Sequence, residues 1–186
     1  MKKILHLLSI LTILLLISCN NNQPAAVSSS STEAKDAGQA NVKDDASEKN
    51  IVKIAVGSAD HTTLVAALKQ AELVDVLANP GPFTVFAPTN AAFDKLPKGT
   101  LDDLMKPEKK ADLQNILQYH VTTSALGADY FKEGQTIGMV NGDNITISIK
   151  NGKVVLNNSA TIIASIPASN GMVHVIDAVL LPPAKK

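Results

Sequence analysis

Three of the four histidines of this chain, those that follow the apolar N-terminal run, are of a residue type that suggests a metal centre. His61, His120 and His174 carry imidazole nitrogens, the ligands of many zinc sites. Their positions are scattered, with no i, i+4 pair, and the one cysteine of the chain is far away at position 19. We therefore predict no metal and no other cofactor, and we expect these histidines to hydrogen-bond backbone or side-chain groups in or near the core.

Nucleophiles and paired acids are equally sparse. Thr89 has no histidine near it in sequence, and no Gly-x-Ser-x-Gly elbow surrounds it. Asp102 and Asp103 are adjacent, so on a helix their side chains point about 100° apart and do not converge as an acid and base pair. The glycine-rich motifs of nucleotide-binding enzymes and the His-Glu-x-x-His motif do not occur. We predict that the protein is not an enzyme.

All seventeen basic residues are lysines, balanced by seventeen acids. Without arginine the chain lacks the planar, bidentate fork that favours recognition of phosphate and guanine. We expect no nucleic-acid partner.

The N-terminus has the pattern of a secretory signal. Lys2 and Lys3 precede about fourteen mostly apolar residues, fewer than the roughly twenty that span a bilayer. The run ends in LISC, residues 16–19, which resembles a bacterial lipobox and implies cleavage before Cys19 and lipid attachment to it. A free thiol is the alternative, but a lone reactive cysteine is a liability in an oxidising compartment. We predict a signal peptide over residues 1–18.

Residues 19–50 combine the lipidated cysteine with a segment that cannot form a packed core. The segment is rich in Ser, Ala, Asn, Asp and Lys and has no aromatic residue. As a flexible coil of about thirty residues it reaches roughly 30 Å, so we predict a tether to a domain at residues 51–182, with a tail at 183–186. Asn20 stands where an Asp would resemble an inner-membrane retention signal. We therefore expect a cell-envelope protein anchored in the outer membrane, facing the periplasm or the exterior.

The first half of the domain has apolar residues at helical spacing. One helix is predicted over residues 60–78, with Asp60, Thr62 or Thr63 as its cap. A short helix capped by Thr100 and another after Pro107 are predicted further on. In the last of these, the spacing i, i+3, i+4, i+7 places four residues on one face: Leu113, Ile116, Leu117 and His120.

The second half consists of successive predicted strands. Five apolar, β-branched runs follow one another: QTIGMV, NITISIK, KVVLN, ATIIAS and GMVHVIDAVLL. Asn141-Gly142 and Asn151-Gly152 lie between runs and favour the positive φ angles of tight hairpins. Helices followed by antiparallel strands predict a compact α+β domain.

The stretch FTVFAPTNAAF, residues 83–93, predicts a corner between a strand and a helix. Its first four residues are typical of a half-buried strand, and Pro88, which has no amide hydrogen, ends the ladder. The side chain of Thr89 or Asn90 can then accept from the first free amides of a helix. These residues need no catalytic role.

Three segments resemble the signature boxes of fasciclin-type domains. FTVFAPTNAAF is similar to the first box, QYHV at residues 118–121 to the Tyr-His box, and ASNGMVHVIDAVLLP at residues 168–182 to the closing box, in the family's order and spacing. The resemblance covers nearly all of residues 51–182. It implies an α+β fold, a β-sandwich wedge of about seven strands with several α-helices packed against it.

The boxes imply a set of positions that serve as a fold or interaction signature: Thr89, Asn90, Tyr119, His120, Asn170 and His174. In the family the Tyr-His box has been linked both to fold integrity and to cell adhesion. The helical spacing that puts His120 on an apolar face favours fold integrity. Animal relatives proposed to bind integrins carry an Asp-Ile pair before the closing box, where this chain has Ser165-Ile166. Integrin-style recognition through that acid is not expected.

The resemblance implies a secreted, lipid-anchored protein that mediates cell-cell or cell-matrix adhesion by binding a protein or glycan. Its expected partners are the membrane, through the lipid, and a surface or matrix molecule. An alternative is a carrier of a small apolar ligand such as a pigment or lipid, because some fasciclin-type proteins hold pigments and this domain is rich in Val, Ile and Leu.

Replacing Cys19 with Ala tests the anchor. Several acyl chains on one cysteine hold a protein stably in a bilayer, so the Cys19→Ala variant should move to the soluble fraction while the wild type stays with washed membranes. Fractionation in high salt, with Ser30→Ala in the tether as the control, measures this. A Cys19→Ala variant that still sediments with membranes would show that the anchor is not lipid on this residue.

Overall fold

The structure is a computed structural model that describes residues 49–183. The predicted signal peptide, the lipid site at Cys19 and nearly all of the predicted tether lie outside the described residues. Within residues 49–183, every helix is too short or too polar to span a bilayer.

The described residues contain six α-helices and three short 3-10 turns. The helices are α1 Ile51–Val56, α2 Thr62–Gln70, α3 Val74–Ala78, α4 Asn90–Asp94, α5 Thr100–Leu104 and α6 Lys110–Gln118. The 3-10 turns are Ala59–His61, Pro107–Lys109 and Ala128–Tyr130.

Seven strands form one hydrogen-bonded series. They are β1 Phe83–Pro88, β2 Val121–Thr122, β3 Thr136–Gly138, β4 Asn144–Lys150, β5 Lys153–Leu156, β6 Ala160–Ala168 and β7 Gly171–Ile176, in the order β2-β1-β7-β6-β5-β4-β3. The sheet bends until its two ends meet, because the Val140 amide, just after β3, donates to the Val121 carbonyl of β2 at 2.8 Å. The predicted α+β fold with about seven strands and packed helices is confirmed.

The pairing of β1 with β7 is parallel, with a register that runs from Phe83 opposite Gly171 to Pro88 opposite Ile176. The expectation of antiparallel strands was made for the five runs of the second half, and the four pairs that join β3 to β7 confirm it. The parallel pairing of β1, a strand of the first half, was not predicted. Strands joined by tight turns must run antiparallel, but most of the domain separates β1 from β7, so no turn fixes their relative direction.

Strand β1 is buried on both faces, whereas the sequence predicted a half-buried strand. Val85 and Ala87 face one apolar cluster and Phe86 faces another. A strand with both faces covered is typical of parallel pairing, where helices pack on the sheet.

Two clusters of buried side chains make up the interior. The first, which we call the helix-side core, lies between the helices and β1 and β7, and includes Leu64, Leu68, Leu77, Leu113, Leu117 and Val173. The second, the sheet-side core, lies inside the bend of the sheet and includes Phe86, Tyr119, Phe131, Ile145, Ile147, Leu156 and Ile176. The parallel pair of β1 and β7 therefore separates the two cores.

The hairpin between β4 and β5 is the one predicted from Asn151-Gly152. Both residues have positive φ, 53° and 74°, as a tight two-residue turn requires. At Asn141-Gly142 only the glycine has positive φ, 91°. Asn157 and Asn158, at 49° and 55°, form a further turn from β5 to β6 that was not predicted. Asparagine tolerates this conformation better than other residues with side chains, which is the signal that could have located it.

The helix predicted over residues 60–78 is broken into a 3-10 turn, α2 and α3. The break lies at Glu72, which has a φ of 57° and cannot continue a right-handed helix. None of the predicted caps of the first helix is used, since α2 begins with no side-chain cap of its own. Gly99, at φ 82°, precedes α5, so Thr100 begins that helix but does not cap it.

Helix α1 was not predicted, because six residues carry too little periodicity to be recognised. Its cap is Asn50, whose side chain accepts from the Lys53 amide at 2.8 Å. The third predicted helix begins as expected, with Pro107 opening a 3-10 turn that leads into α6.

Substitution of Gly171 tests the importance of the close approach of β1 and β7. Gly171 has a φ of 149°, and a Cβ there would lie 1.8 Å from the Phe83 carbonyl oxygen. We expect Gly171→Ala to lower the free energy of unfolding by more than about 4 kcal/mol, measured by urea unfolding, because the strands cannot separate without losing their pairing.

Gly142→Ala is the matched control. Gly142 also has positive φ, 91°, but nothing lies within 4 Å of a Cβ there, so its substitution should cost about 1 kcal/mol. Equal losses in the two variants would mean that backbone conformation, and not the contact with Phe83, determines the need for glycine at position 171.

Candidate functional site

His120 is buried at the end of α6 and uses both ring nitrogens. Its Nδ1–H donates to the Ile116 carbonyl at 2.8 Å, and its Nε2 accepts from the Leu180 amide at 3.0 Å. The ring therefore joins α6 to the segment that follows β7. Only 3% of the residue is exposed, so its contacts are internal.

The neighbouring Tyr119 connects the same helix end to the far strands of the sheet. Its hydroxyl donates to the Asn144 carbonyl of β4 at 2.9 Å and accepts from the Asn157 side-chain amide at 2.8 Å. The Tyr-His box thus joins the end of α6 to β4, to the turn after β5 and to the segment after β7.

His174 lies fully buried in the middle of β7. Its Nε2–H donates to the Leu126 carbonyl at 2.8 Å, which leaves Nδ1 to accept from the Ser165 hydroxyl at 2.7 Å. The ring stacks on Phe86, with centroids 5.6 Å apart, and meets the edge of Phe131 at 5.0 Å. Ser165, the residue in place of the animal Asp, therefore has an internal partner.

Thr84, on β1, bonds the segment after β2 that contains Leu126, the residue that also bonds His174. Its hydroxyl donates to the Ser124 carbonyl at 2.6 Å and accepts from the Leu126 amide at 2.8 Å. Together with His174, it fixes both backbone groups of Leu126, so the segment after β2 is attached to the central strand pair.

Asn170, in the turn between β6 and β7, satisfies three backbone groups on the helical side. Its side-chain oxygen accepts from the Ile51 amide at 2.9 Å, and its amide donates to the Leu77 and Asn79 carbonyls at 2.8 and 2.9 Å. The turn is thereby tied to the start of α1 and the end of α3.

Thr89 and Asn90 act at the predicted corner. Thr89 caps α4, since its hydroxyl accepts from the Ala92 amide at 3.2 Å. Asn90 reaches back in sequence: its oxygen accepts from the Thr63 amide at 3.0 Å, and its amide donates to the Ala59 carbonyl at 3.0 Å. The cap that α2 lacks locally is supplied by a residue 27 positions later.

The three histidines do not act as a set. His61 bonds the Ser58 hydroxyl through Nδ1 at 2.8 Å, while His120 and His174 have partners on both nitrogens. For His120 and His174, neither ring nitrogen has a lone pair left for a metal ion. The rings of His120 and His174 instead join segments that are distant in the chain.

Burial lowers the pKa of all three histidines. For His120 the pKa falls to about 4, with the Ile116 carbonyl acting in the opposite direction. Burial lowers the pKa of His174 despite its bond to Leu126, and that of His61 despite the nearby Asp60 carboxylate. These rings are neutral hydrogen-bonding groups at neutral pH.

A surface cleft lies beside the anchored Leu126 segment. Five residues line it: Gly127, Asp129, Tyr130, Lys132 and Gln135. None of them belongs to the signature boxes, and nothing in their order along the chain marks them as a site. Their proximity follows from the 3-10 turn and the loop into β3.

Comparison with known proteins places this architecture in a family. Residues 59–182 match the family model of the fasciclin domain. The chain belongs to the fasciclin domain family. The resemblance seen in the three boxes is thereby confirmed.

Relatives of this fasciclin-domain protein occur in bacteria and animals. It is 47% identical over 137 residues to protein sll1483 of Synechocystis, covering 74% of this chain and 76% of that protein. It is 38% identical over 129 residues to the cell surface glycolipoprotein MPB83 of Mycobacterium bovis, covering 67% and 56% of the two chains. It is 38% identical over 136 residues to the pig transforming growth factor-beta-induced protein ig-h3, covering 73% of this chain but 20% of that protein.

The fold is also that of a solved structure, the FAS1 domain pair of the insect cell adhesion molecule fasciclin I. The TM-score is 0.63 at 16% identity, over 72% of this chain and 51% of that chain. At this identity the likeness establishes the shared fold.

His120 makes the stability of the domain pH-dependent. Its folded-state pKa of about 4 lies below the ordinary value of about 6.5, so the unfolded chain binds more protons between these values. The contribution of His120 to the free energy of unfolding is therefore fully present above about pH 6.5 and is lost as the pH falls towards about 4. Protonation of His120 alone should lower the free energy of unfolding by about 3 kcal/mol.

The His120→Gln variant isolates this contribution. It should be less stable at pH 7, and its free energy of unfolding should fall by about 3 kcal/mol less than that of the wild type between pH 7 and pH 4. Urea unfolding over a pH series measures the difference, in which the carboxylates common to both proteins cancel. Parallel curves for the two proteins would contradict a neutral, buried His120.

Proposed function

We propose that this fasciclin-domain protein is a lipid-anchored adhesion module of the bacterial cell envelope. It binds a protein or glycan on another cell or in a surrounding matrix. It acts by binding and not by catalysis.

One observation carries the proposal: the signature side chains are all used inside the domain. Each makes hydrogen bonds to backbone or side-chain groups of its own chain: Thr84, Thr89, Asn90, Tyr119, His120, Asn170 and His174. The residues that the family shares therefore build a scaffold. Recognition is left to the exposed loops and strands around it, as in other binding domains on rigid frameworks.

The names of related proteins support a location at the cell surface. MPB83 is called a cell surface glycolipoprotein, and the neighbour in fold comes from a cell adhesion molecule. In this chain Cys19 would carry the lipid, in the outer membrane, and a tether with a reach of roughly 30 Å would present the domain. Many tethered copies on one surface would bind a repeated partner with far greater avidity than a single domain.

The interior of the domain favours adhesion over carriage of an apolar ligand. The sheet-side core is filled by its own large side chains, and Phe86, Tyr119, Ile145 and Leu156 are each at most 2% exposed. The surface cleft is instead lined by charged and polar groups together with one tyrosine. A pigment or lipid tail would find its best environment in space that these core side chains already occupy.

The Cys19→Ala protein, secreted in soluble form and labelled with a fluorophore, tests adhesion. We expect saturable binding to one class among producer cells, unrelated cells and immobilised matrix polymers. Unlabelled protein should displace it. Flow cytometry and surface binding assays measure both.

The control for this assay is the same protein carrying Gly171→Ala, assayed at a urea concentration at which the unfolding curves show the parent protein folded and this variant unfolded. Binding that depends on the folded surface should be absent from the control. Adhesion is contradicted if no cell or polymer binds saturably, or if the control binds as well as the folded protein.

A further inference from the structure

The cleft beside the anchored loop has a volume in the range of ligand sites and is open to solvent. It encloses about 540 Å³ and opens to solvent. Ligand sites commonly lie between about 300 and 1,000 Å³.

Gly127 lines the cleft at a position where a side chain would collide with Asp129. A Cβ at this position would lie 2.6 Å from Oδ1 of Asp129. Glycine therefore leaves room for the carboxylate to fold back over the turn, which is closed by the Tyr130 amide donating to the Gly127 carbonyl at 3.1 Å.

A second closed turn contributes Lys132 and Gln135 to the lining of the cleft. The Lys132 amide donates to the Gln135 side-chain oxygen at 2.9 Å, and the Gln135 amide donates to the Lys132 carbonyl at 3.2 Å. The Gln135 side-chain oxygen is thus occupied, and its NH₂ group is the part available to a ligand.

Two charged groups of the cleft have no partner among the described residues. Within residues 49–183, neither the Asp129 carboxylate nor the Lys132 ammonium makes a hydrogen bond or an ion pair, so both groups are available to a ligand. Tyr130 is 50% exposed. The cleft therefore offers an acceptor, a donor and an aromatic face to solvent.

The backbone next to these groups is anchored by buried side chains and hydrogen bonds. Phe131, next to Tyr130, is 5% exposed and packs against His174 and Phe86, with ring centroids 5.0 and 6.1 Å away. Leu126, just before Gly127, is held by His174 and Thr84. The signature residues thus fix the backbone on which the cleft is built, and this preorganisation reduces the entropy lost when a ligand binds.

We propose that this cleft binds a neutral pyranose unit of a glycan, an inference that rests on the proposed adhesion function and names its ligand. The Tyr130 ring would stack on the apolar face of the sugar. Hydroxyl groups both donate and accept, so adjacent ones pair with the Asp129 carboxylate and the Lys132 ammonium. The opposite charges of these two residues cancel, which favours a neutral, hydroxyl-rich ligand over an anion.

The test uses the full-length protein, purified in a polyoxyethylene detergent because sugar-headed detergents would compete for the cleft. The probes are methyl glycosides of glucose, galactose, mannose and N-acetylglucosamine, with glucuronic acid as the charged probe. The chain has two tyrosines and no tryptophan, so tyrosine fluorescence and saturation-transfer NMR report on Tyr130. We expect at least one neutral glycoside to bind saturably and more tightly than glucuronic acid.

Variants locate the binding. Tyr130→Ala should weaken it about tenfold, whereas Tyr130→Phe keeps the stacking face and should stay within about threefold. Asp129→Asn should weaken it about tenfold or more through loss of charge-assisted hydrogen bonds. Ile163→Ala is the control, because Ile163 is 53% exposed on β6 and does not line the cleft.

The outcomes separate this inference from the adhesion proposal. Failure of every neutral glycoside to bind, preference for glucuronic acid, or unchanged affinity in Tyr130→Ala would overturn the sugar site. If cells still bind the Cys19→Ala protein in that case, adhesion stands and uses another surface. If a glycoside binds with the expected variant pattern but no cell or matrix does, the sugar site stands and adhesion fails.

Discussion

The buried parallel pair of β1 and β7 is the constraint on which the rest of the structure depends. It places the first and last strands of the domain side by side at the boundary between two cores, where water reaches neither face. Polar groups in such a place must be satisfied within the protein, because each one left unpaired costs about 1–3 kcal/mol. Thr84 and His174 on these strands, and Asn170 at their edge, meet this need.

The same constraint explains why histidine is used where a metal or catalyst would first be suspected. A neutral imidazole donates at one nitrogen and accepts at the other, so a single buried ring can join two segments. His120 joins α6 to the chain after β7, and His174 joins β6 and β7 to the Leu126 loop. Desolvation keeps both rings neutral, so protonation at low pH opposes the contacts that these two histidines make.

In the function that we propose, structure and recognition are divided between two sets of residues. The signature residues face inward and fix the loop after β2, and the cleft formed by Gly127, Asp129, Tyr130, Lys132 and Gln135 is carried on that loop. The boxes could be found in the sequence because residue type and spacing are constrained wherever a buried hydrogen bond must form. The cleft could not, because an exposed Asp, Tyr and Lys within a few positions are common in any loop, and only the turn geometry brings them to one surface.

The sequence by itself determined the family, the α+β class, the strand-to-helix corner at Thr89 and the Asn151-Gly152 hairpin, because each depends on local backbone chemistry or on the family's boxes. The tertiary structure alone decided which strands pair in parallel, which residue accepts the hydrogen bond of a free amide at the start of α2, and which groups the histidines contact. Each of these joins groups that are far apart in the chain, as Asn90 does for the Thr63 amide and Leu180 for His120. Local propensity carries no information about such contacts, since packing and the need to satisfy buried polar groups select them only once the chain has folded.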